Sequence, residues 1–320
     1  MKEEYNPLGL SDLHEGYKDI FLALLPMLIS NTLLCVGEAG YGKTLLMTIL
    51  AFAVARYQVS LEALIGNIVT AAIRTSPEID FFRGEPGLRW IPCLFDDGDL
   101  SEQRIRVLKS FFDASMQEAM TFVRWGATKF VRSQARFAGD NAYNPDVEPT
   151  VVEWLFATMH ADKAARTTAI LIEMIKPAFP SGLSAANIAA MLKRCSVLLN
   201  TKTHLYVRHA GIKSCVEQHP LLTSYLKPHA HPLVKAWLKK SVKRDAEEHE
   251  AVLEYESRVV TQAMGGLPTR PAPAAVARSS GAFSRVLLQV EQTDLDASPV
   301  APRRRTFMDE HDDDVFVDVD

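Results

Sequence analysis

The fold of this chain is decided by the stretch Cys35-Val36-Gly37-Glu38-Ala39-Gly40-Tyr41-Gly42-Lys43-Thr44, which follows an apolar run and leads into the apolar segment 45–54. It matches the pattern G-x-x-x-x-G-K-[ST] at every fixed position. The order of apolar run, glycine-rich turn and apolar segment predicts a strand, a phosphate-binding loop and a helix. The glycines let the backbone turn tightly with its N–H groups directed inward, as a nest for phosphate oxygens.

The residue types in this loop predict a nucleotide site. The predicted binding positions are Gly37, Glu38, Ala39, Gly40, Tyr41, Gly42, Lys43 and Thr44. A helix that starts near Gly42 adds its N-terminal dipole and free N–H groups to the anion site. Lys43 brings a positive charge to the β- and γ-phosphates of ATP, and Thr44 offers a hydroxyl to Mg²⁺.

The composition is that of an ordinary soluble globular protein. Of 320 residues, 48% are hydrophobic and 23% are charged, and no run of about 18 uninterrupted apolar residues predicts a membrane span. The N-terminal Met1-Lys2-Glu3-Glu4 is too acidic to open a secretory signal peptide. The four cysteines lie far apart, which favours reduced core residues. We therefore expect an intracellular protein of the cytoplasm or nucleus, with no membrane partner.

The C-terminal part differs from the rest in composition. From residue 265 to 320, Pro, Ala, Ser and Arg dominate, with one short apolar patch at 283–290, and this predicts a disordered tail. Residues 309–320 include seven acidic side chains, so the net charge of −4 becomes +3 without them. A mildly basic body permits contact with nucleic acid without requiring it.

A second apolar run, Trp90 to Phe95, ends in Asp96 and Asp97. It predicts a buried parallel strand that delivers acids to the carboxyl edge of a sheet, the Walker B position. Asp96 would hold Mg²⁺ through water, opposite Thr44, and Asp97 would orient or deprotonate the attacking water. The alternatives are Asp99 as the acid, or an acidic turn without a metal.

Spacing predicts the topology. Asp96 lies 53 residues after Lys43, which leaves room for an extra strand between the Walker A and Walker B strands. We expect an α/β fold, a three-layer αβα sheet of the P-loop NTPase kind. The predicted divisions are an N-terminal helix (1–30), a P-loop core (31–148), a helical subdomain (149–264) and the tail (265–320).

Two further segments carry candidate site residues. A strand is predicted from Lys129 to Ala138, and it ends near Asn141, whose amide would touch the γ-phosphate or the attacking water. The helical pattern of 149–264 includes Arg194 and Arg208, candidates for an arginine supplied to the nucleotide of a neighbouring subunit. Each has the alternative of a surface or salt-bridge arginine.

The order of these motifs resembles the superfamily 3 helicases, especially the helicase domain of Rep proteins from small circular single-stranded DNA viruses. The phosphate loop and Asp96-Asp97 match that family. Trp125-Gly126-Ala127-Thr128 with Val131 occupies its B′ motif, and Arg136 to Asn141 occupies its motif C. The resemblance implies an AAA+-type ATPase that needs Mg²⁺, assembles as a homo-oligomer and acts on single-stranded nucleic acid.

Two departures from the family pattern bear on that function. The B′ lysine is Trp125 here, with Arg124 and Lys129 as the nearest charges, and the motif C Thr-Ser pair is Gly139-Asp140. They keep open an alternative function, a nucleotide-regulated binding or scaffold protein with slow or no hydrolysis. A small-molecule kinase is a third hypothesis, disfavoured by the long interval between Lys43 and Asp96.

Overall fold

A computed structural model describes residues 2–84, 87–114, 118–123, 126–211, 213–221, 224–238 and 243–267. The strands are β1 (Lys2–Glu3), β2 (Thr32–Gly37), β3 (Ile73–Ser76), β4 (Cys93–Phe95), β5 (Glu118–Val123), β6 (Gly126–Val131), β7 (Arg136–Asp140), β8 (Cys195–Asn200), β9 (His204–Arg208) and β10 (Val216–Pro220). The helices are α1 (Glu15–Leu24), α2 (Lys43–Leu64), α3 (Ile105–Phe112), α4 (Val151–Met159), α5 (Lys163–Ile175), α6 (Ala185–Leu192), α7 (His231–Leu238) and α8 (Ala246–Ala263).

Eight of these strands form one mixed sheet in the order β1-β3-β4-β7-β2-β8-β9-β10. The five central strands from β3 to β8 are parallel, and β1, β9 and β10 pair antiparallel at the two sides. The fold class is therefore α/β, as the sequence predicts. In the sheet, β7 lies between β2 and β4. Strand β3 comes between β2 and β4 along the chain, but in the sheet it lies on the other side of β4 from β7.

Alternate residues of the central strand β2 face two separate apolar layers. Leu33 and Cys35 belong to a core with α1, α2 and α8, whereas Leu34 and Val36 belong to a core with α3, α5 and α6. A strand buried on both faces reads as a continuous apolar run, which is how Thr32–Gly37 reads. Helices thus cover both faces of the sheet, an arrangement compatible with a three-layer fold.

Helix α2 is long and apolar enough, by length and composition alone, to cross a membrane. Its central part, from Leu46 to Ala55, is buried in the protein's own core. A core helix of a globular protein passes the same test. Packing against the sheet accounts for the apolar composition of α2.

The structure corrects the prediction that residues 149–264 are all helical. Three strands, β8 to β10, lie in this segment and complete the sheet on one side of β2. Apolar residues recur at helical spacing from Ser184 to Leu198, but α6 ends at Leu192 and the apolar run that follows is β8. A fully buried strand has no polar face, so its sequence cannot be told from a buried helix by periodicity.

Two other predicted elements differ in detail. The strand predicted from Lys129 to Ala138 is divided between β6 and β7 by a turn in which Ser133 has a φ of 63°. The N-terminal segment contributes a short strand, Lys2–Glu3, besides the helix predicted over 1–30. The tail from 268 onward, Arg124 and Trp125 lie outside the described residues.

Candidate nucleotide site

The glycine loop connects the carboxyl end of β2 to the first turn of α2. Gly37, Gly40 and Gly42 have φ values of 134°, 88° and 85°, which side chains disfavour. At Gly37 a Cβ atom would stand 2.0 Å from the carbonyl oxygen of Asn200 on β8. Gly37 is therefore required twice, by its backbone conformation and by the close approach of the neighbouring strand.

The Lys43 ammonium is the centre of the site. Its side chain is buried, and its Nζ donates to the carbonyl oxygens of Gly37 at 2.8 Å and Glu38 at 2.7 Å, and to Oδ1 of Asn141 at 2.7 Å. An ammonium has three donors, so all are used. Burial lowers the pKa of Lys43. The contact with Asn141 joins the glycine loop to the residue that follows β7.

Asp96 stands at the end of β4, opposite the start of α2. Its carboxylate is 7% exposed and lines the same cleft as Thr44. Burial raises the pKa of Asp96, and its interaction with the Thr44 side chain opposes that rise. Gly139 on β7 leaves room for this carboxylate, because a Cβ there would lie 2.8 Å from Oδ1 of Asp96. A glycine at position 139 therefore leaves the space that the Asp96 carboxylate occupies.

Thr44 and Asp96 offer a hydroxyl and a carboxylate, the hard oxygen ligands that Mg²⁺ prefers. Within the described part of the chain, no group of three or more His, Cys, Asp or Glu side chains forms a metal site. Mg²⁺ at phosphate-transfer sites is held by one or two protein oxygens together with phosphates and water. The Thr44–Asp96 pair fits that kind of site.

These groups line an open cleft of about 640 Å³. The cleft is formed by the glycine loop and the ends of β4 and β7, and its lining includes Ala39, Gly40, Gly42, Lys43, Thr44, Asp96, Asp97, Gly98, Asp99, Gly139, Asp140, Asn141 and Ala142. Asp97 is exposed in the cleft with a φ of 58°. Asp99 caps the turn Leu100–Glu102, accepting from the Ser101 N–H at 2.8 Å. The position of Asp97 fits the predicted base better than that of Asp99.

Asp140, a residue not predicted for the site, has a structural use there. Its carboxylate is buried and accepts from the backbone N–H groups of Leu100 at 3.0 Å and Ala142 at 2.7 Å. Burial raises the pKa of Asp140, and the hydrogen bonds from these two backbone N–H groups act to lower it. Asp140 thereby connects the loop after Asp96 to the loop that carries Asn141. In the sequence, the position of Asp140 directly before Asn141 was the feature that could have indicated its place in the site.

A second unpredicted group holds the loop after Asn141. Oε1 of Glu148 accepts from the hydroxyls of Thr201 at 2.7 Å and Tyr206 at 3.1 Å, and also from Thr203. Burial acts to raise the pKa of Glu148, but hydrogen bonds, chiefly from Thr203 and Thr201, lower it. The bonds fix this loop to the turn after β8, next to the glycine loop. Acceptor and donors are separated by over fifty residues, so no local pattern predicts them.

The two candidate arginines have different environments. Arg194 precedes β8 at the end of the sheet opposite the cleft, its side chain is 44% exposed, and its Nε lies 3.0 Å from Oδ2 of Asp113. Arg208 is 3% exposed, and it donates to the carbonyl oxygens of Leu192 at 2.6 Å and Gly211 at 2.7 Å. The prediction of Arg208 as an arginine for a neighbour is wrong, because its guanidinium is enclosed and used inside its own chain.

The chain was also compared with known proteins. No protein-family model matches it, and no curated protein sequence matches it either. A functional proposal therefore rests on the geometry of the cleft and on the order of motifs in the sequence.

Proposed function

We propose that this chain is a Mg²⁺-dependent ATP-hydrolysing P-loop protein of the AAA+ or superfamily 3 helicase type. One observation carries the proposal. A glycine loop that ends in Lys43-Thr44 meets Asp96 and Asn141 from two other strands, through the contacts of Lys43 with Asn141 and of Thr44 with Asp96. Residues from three separate sequence segments, each predicted to handle phosphate or Mg²⁺, lie together in one cleft.

The strand order supports the same proposal. In the group that includes AAA+, helicase and RecA-like proteins, the acid strand is separated from the phosphate-loop strand by another strand, and Asn141 would follow that intervening strand. Here β7 separates β2 from β4 and ends just before Asn141. Parallel strands bring their carboxyl ends to one edge, where ligands of open α/β sheets bind.

Each site residue has a role in hydrolysis under this proposal. The glycine loop and the amino end of α2 bind phosphate oxygens, and Lys43 supplies positive charge to the transferring phosphoryl group. Mg²⁺, when bound, neutralises charge on the β- and γ-phosphates. Thr44 and Asp96 would hold it, while Asn141 and Asp97 would position the attacking water.

The hairpin of β5 and β6 is the feature that favours a motor on nucleic acid. It pairs Glu118 with Val131 and Val123 with Gly126, and it is inserted between the strand of Asp96 and the strand of Asn141. The resemblance assigns single-stranded DNA contact to this B′ segment. The hairpin is connected along the chain to β4, which precedes Asp96, and to β7, which precedes Asn141. Changes at the nucleotide during hydrolysis would therefore reach a nucleic acid bound by the hairpin.

Steady-state ATP hydrolysis, measured with and without single-stranded DNA, separates the three hypotheses. A helicase-like motor predicts phosphate release that single-stranded DNA stimulates several-fold. A nucleotide-regulated scaffold predicts ATP binding with near-zero turnover. Release of ADP without phosphate, dependent on a small-molecule acceptor, would instead establish a kinase and contradict the proposal.

The proposal includes nucleotide-dependent homo-oligomers, hexamers by analogy with the family, in which Arg194 reaches the neighbour's nucleotide. Arg194→Ala is then expected to reduce turnover at least about 100-fold with little change in ATP affinity, since an arginine supplied in trans acts on the transition state. Turnover and fluorescent-nucleotide binding measure the two effects. The exposed Arg106 provides the control, as Arg106→Ala should change neither.

Arg208→Ala should give a different result. Removing its guanidinium takes a donor from the buried carbonyl oxygen of Leu192 and from the part-buried one of Gly211, and we expect a loss of about 2–4 kcal/mol in the free energy of unfolding. Urea denaturation measures it. A full loss of turnover in Arg208→Ala with unchanged stability would show that the assignment of these two arginines is reversed.

A further inference from the structure

Helix α4 carries an apolar surface that is open to solvent. Val151, Val152, Leu155, Phe156 and Met159 are 78%, 76%, 55%, 63% and 77% exposed. The same helix buries only Trp154 and Ala157 against the body of the protein. We call these five exposed residues the α4 patch.

The α4 patch is the largest group of exposed apolar side chains in the described part of the chain. Among the residues whose exposure the structure describes, the other large apolar side chains that are exposed are Ile65, Ile68, Phe81, Val147 and Leu267. Val147 adjoins the patch along the chain, and the others are single or paired positions in distant segments. The patch presents on the order of 600 Å² of apolar surface, the size at which exposed patches mark interaction sites.

We propose that the α4 patch is a self-association surface, which pairs with the same patch of a second copy across a twofold axis. A twofold interface uses one surface on both partners, so it needs no second complementary patch. The described surface offers no other patch of comparable size. Two copies would together bury roughly 1,200 Å², the lower end of the range for specific interfaces.

The charges around the patch favour an antiparallel pairing of the two α4 helices. Exposed Asp146 and Glu153 lie toward the amino end of α4. Exposed Lys163 and Arg166 follow its carboxyl end, where Asp162 offsets part of their positive charge. Antiparallel helices bring the acidic end of one copy to the basic end of the other. Opposed helix dipoles add to the attraction.

Helix α5, which packs beside α4, allows close approach. Its exposed positions include Ala165 and Ala169, and the exposed Ala161 lies between the two helices along the chain. Small side chains leave space for a neighbouring helix. The guanidinium of Arg166 lies 5.4 Å from the centre of the Phe156 ring, so α5 contributes a charged side chain to the rim of the patch.

A second copy is a better occupant than the chain's own tail. The apolar residues Phe283, Val286, Leu287 and Val290 recur at helical spacing and are the competing candidate. However, α8, after which the tail begins, packs in the layer with α1 and α2, while Trp154 of α4 belongs to the core on the other face of the sheet. Leu267, the last described residue, thus follows a helix on the face of the sheet opposite to Trp154.

Sedimentation equilibrium of the full-length chain without nucleotide tests the proposal, and it does so independently of ATP hydrolysis. We expect a dimer at micromolar concentration, and at least a 100-fold weaker association in Val152→Glu/Met159→Glu. Both side chains are more than three-quarters exposed, so the variant should fold and its circular dichroism spectrum should match the wild type. Ile68→Glu, at a fully exposed position outside the patch, should dimerise like the wild type.

Charge reversal tests the antiparallel geometry. Asp146→Lys and Lys163→Glu should each weaken the dimer, and the double variant should restore it. A monomeric wild-type chain at tens of micromolar, or a dimer that persists in Val152→Glu/Met159→Glu, would overturn the proposal. A wild-type monomer whose Leu287→Glu variant dimerises would also overturn the proposal, because that result would show that the tail covers the α4 patch in the wild type. Absence of rescue in the double variant would overturn the antiparallel arrangement.

Discussion

Replacement of Lys43 by alanine is expected to lower the affinity for Mg-ATP at least about 100-fold and to abolish turnover. The Lys43 ammonium contacts both the glycine loop and Asn141 within the cleft, so its removal takes away the positive charge that would face the β- and γ-phosphates. Two charge-assisted hydrogen bonds together contribute about 3 kcal/mol, which corresponds to that factor. Equilibrium binding of a fluorescent ATP analogue measures the loss.

Lys109→Ala is the matched control, because Lys109 is an exposed lysine on α3. It should bind and hydrolyse ATP like the wild type. Circular dichroism of Lys43→Ala should match the wild type, which separates lost binding from lost folding. Unchanged ATP affinity in a folded Lys43→Ala protein would show that the glycine loop is not the phosphate site.

Replacement of Asp96 by asparagine is expected to reduce Mg²⁺-dependent turnover by about 10²–10³-fold while ATP binding persists. The carboxylate interacts with Thr44, and removing one preorganised electrostatic group from an enzyme site costs about this factor. The amide has nearly the same shape, so packing against Gly139 is preserved. Turnover as a function of Mg²⁺ concentration measures the effect.

The same substitution should not destabilise the protein. Burial raises the folded-state pKa of Asp96 above its unfolded value, so the ionised carboxylate opposes folding at neutral pH. This cost disappears as the pH falls through the raised pKa of Asp96. Asp96→Asn should therefore melt at or above the wild-type temperature at pH 7, and the difference should shrink in mild acid.

Asp99→Asn is the control for this prediction, since Asp99 lines the same cleft but caps a turn. It should retain most of the Mg²⁺-dependent turnover. A result in which Asp99→Asn is inactive and Asp96→Asn is active would assign the metal to the other acid. That was the alternative the sequence left open.

The central site could be predicted from the sequence because each part is a local pattern. A glycine loop after an apolar run, two acids after another apolar run and an amide after a third are readable over ten residues each. Their meeting in one cleft follows from the rule that parallel strands end at one edge. The contacts of Lys43 with Asn141 and of Thr44 with Asp96 agree with that reasoning.

The parts that could not be predicted depend on long-range pairing. β8 pairs with β2 more than 150 residues away, and nothing within Cys195–Asn200 distinguishes a buried strand from a buried helix. Arg208 was misassigned for a related reason. Its sequence neighbours do not reveal that Leu192 and Gly211 supply carbonyl oxygens to its guanidinium.

Titration calorimetry of ATP into the full-length protein, with and without Mg²⁺, shows whether the glycine loop is a nucleotide site. We expect saturable binding in Mg²⁺ with one site per chain, weaker binding without the metal, and no measurable heat with Lys43→Ala. A folded wild-type protein that gives no binding heat, and no change in melting temperature at millimolar Mg-ATP, would show that the chain does not bind ATP.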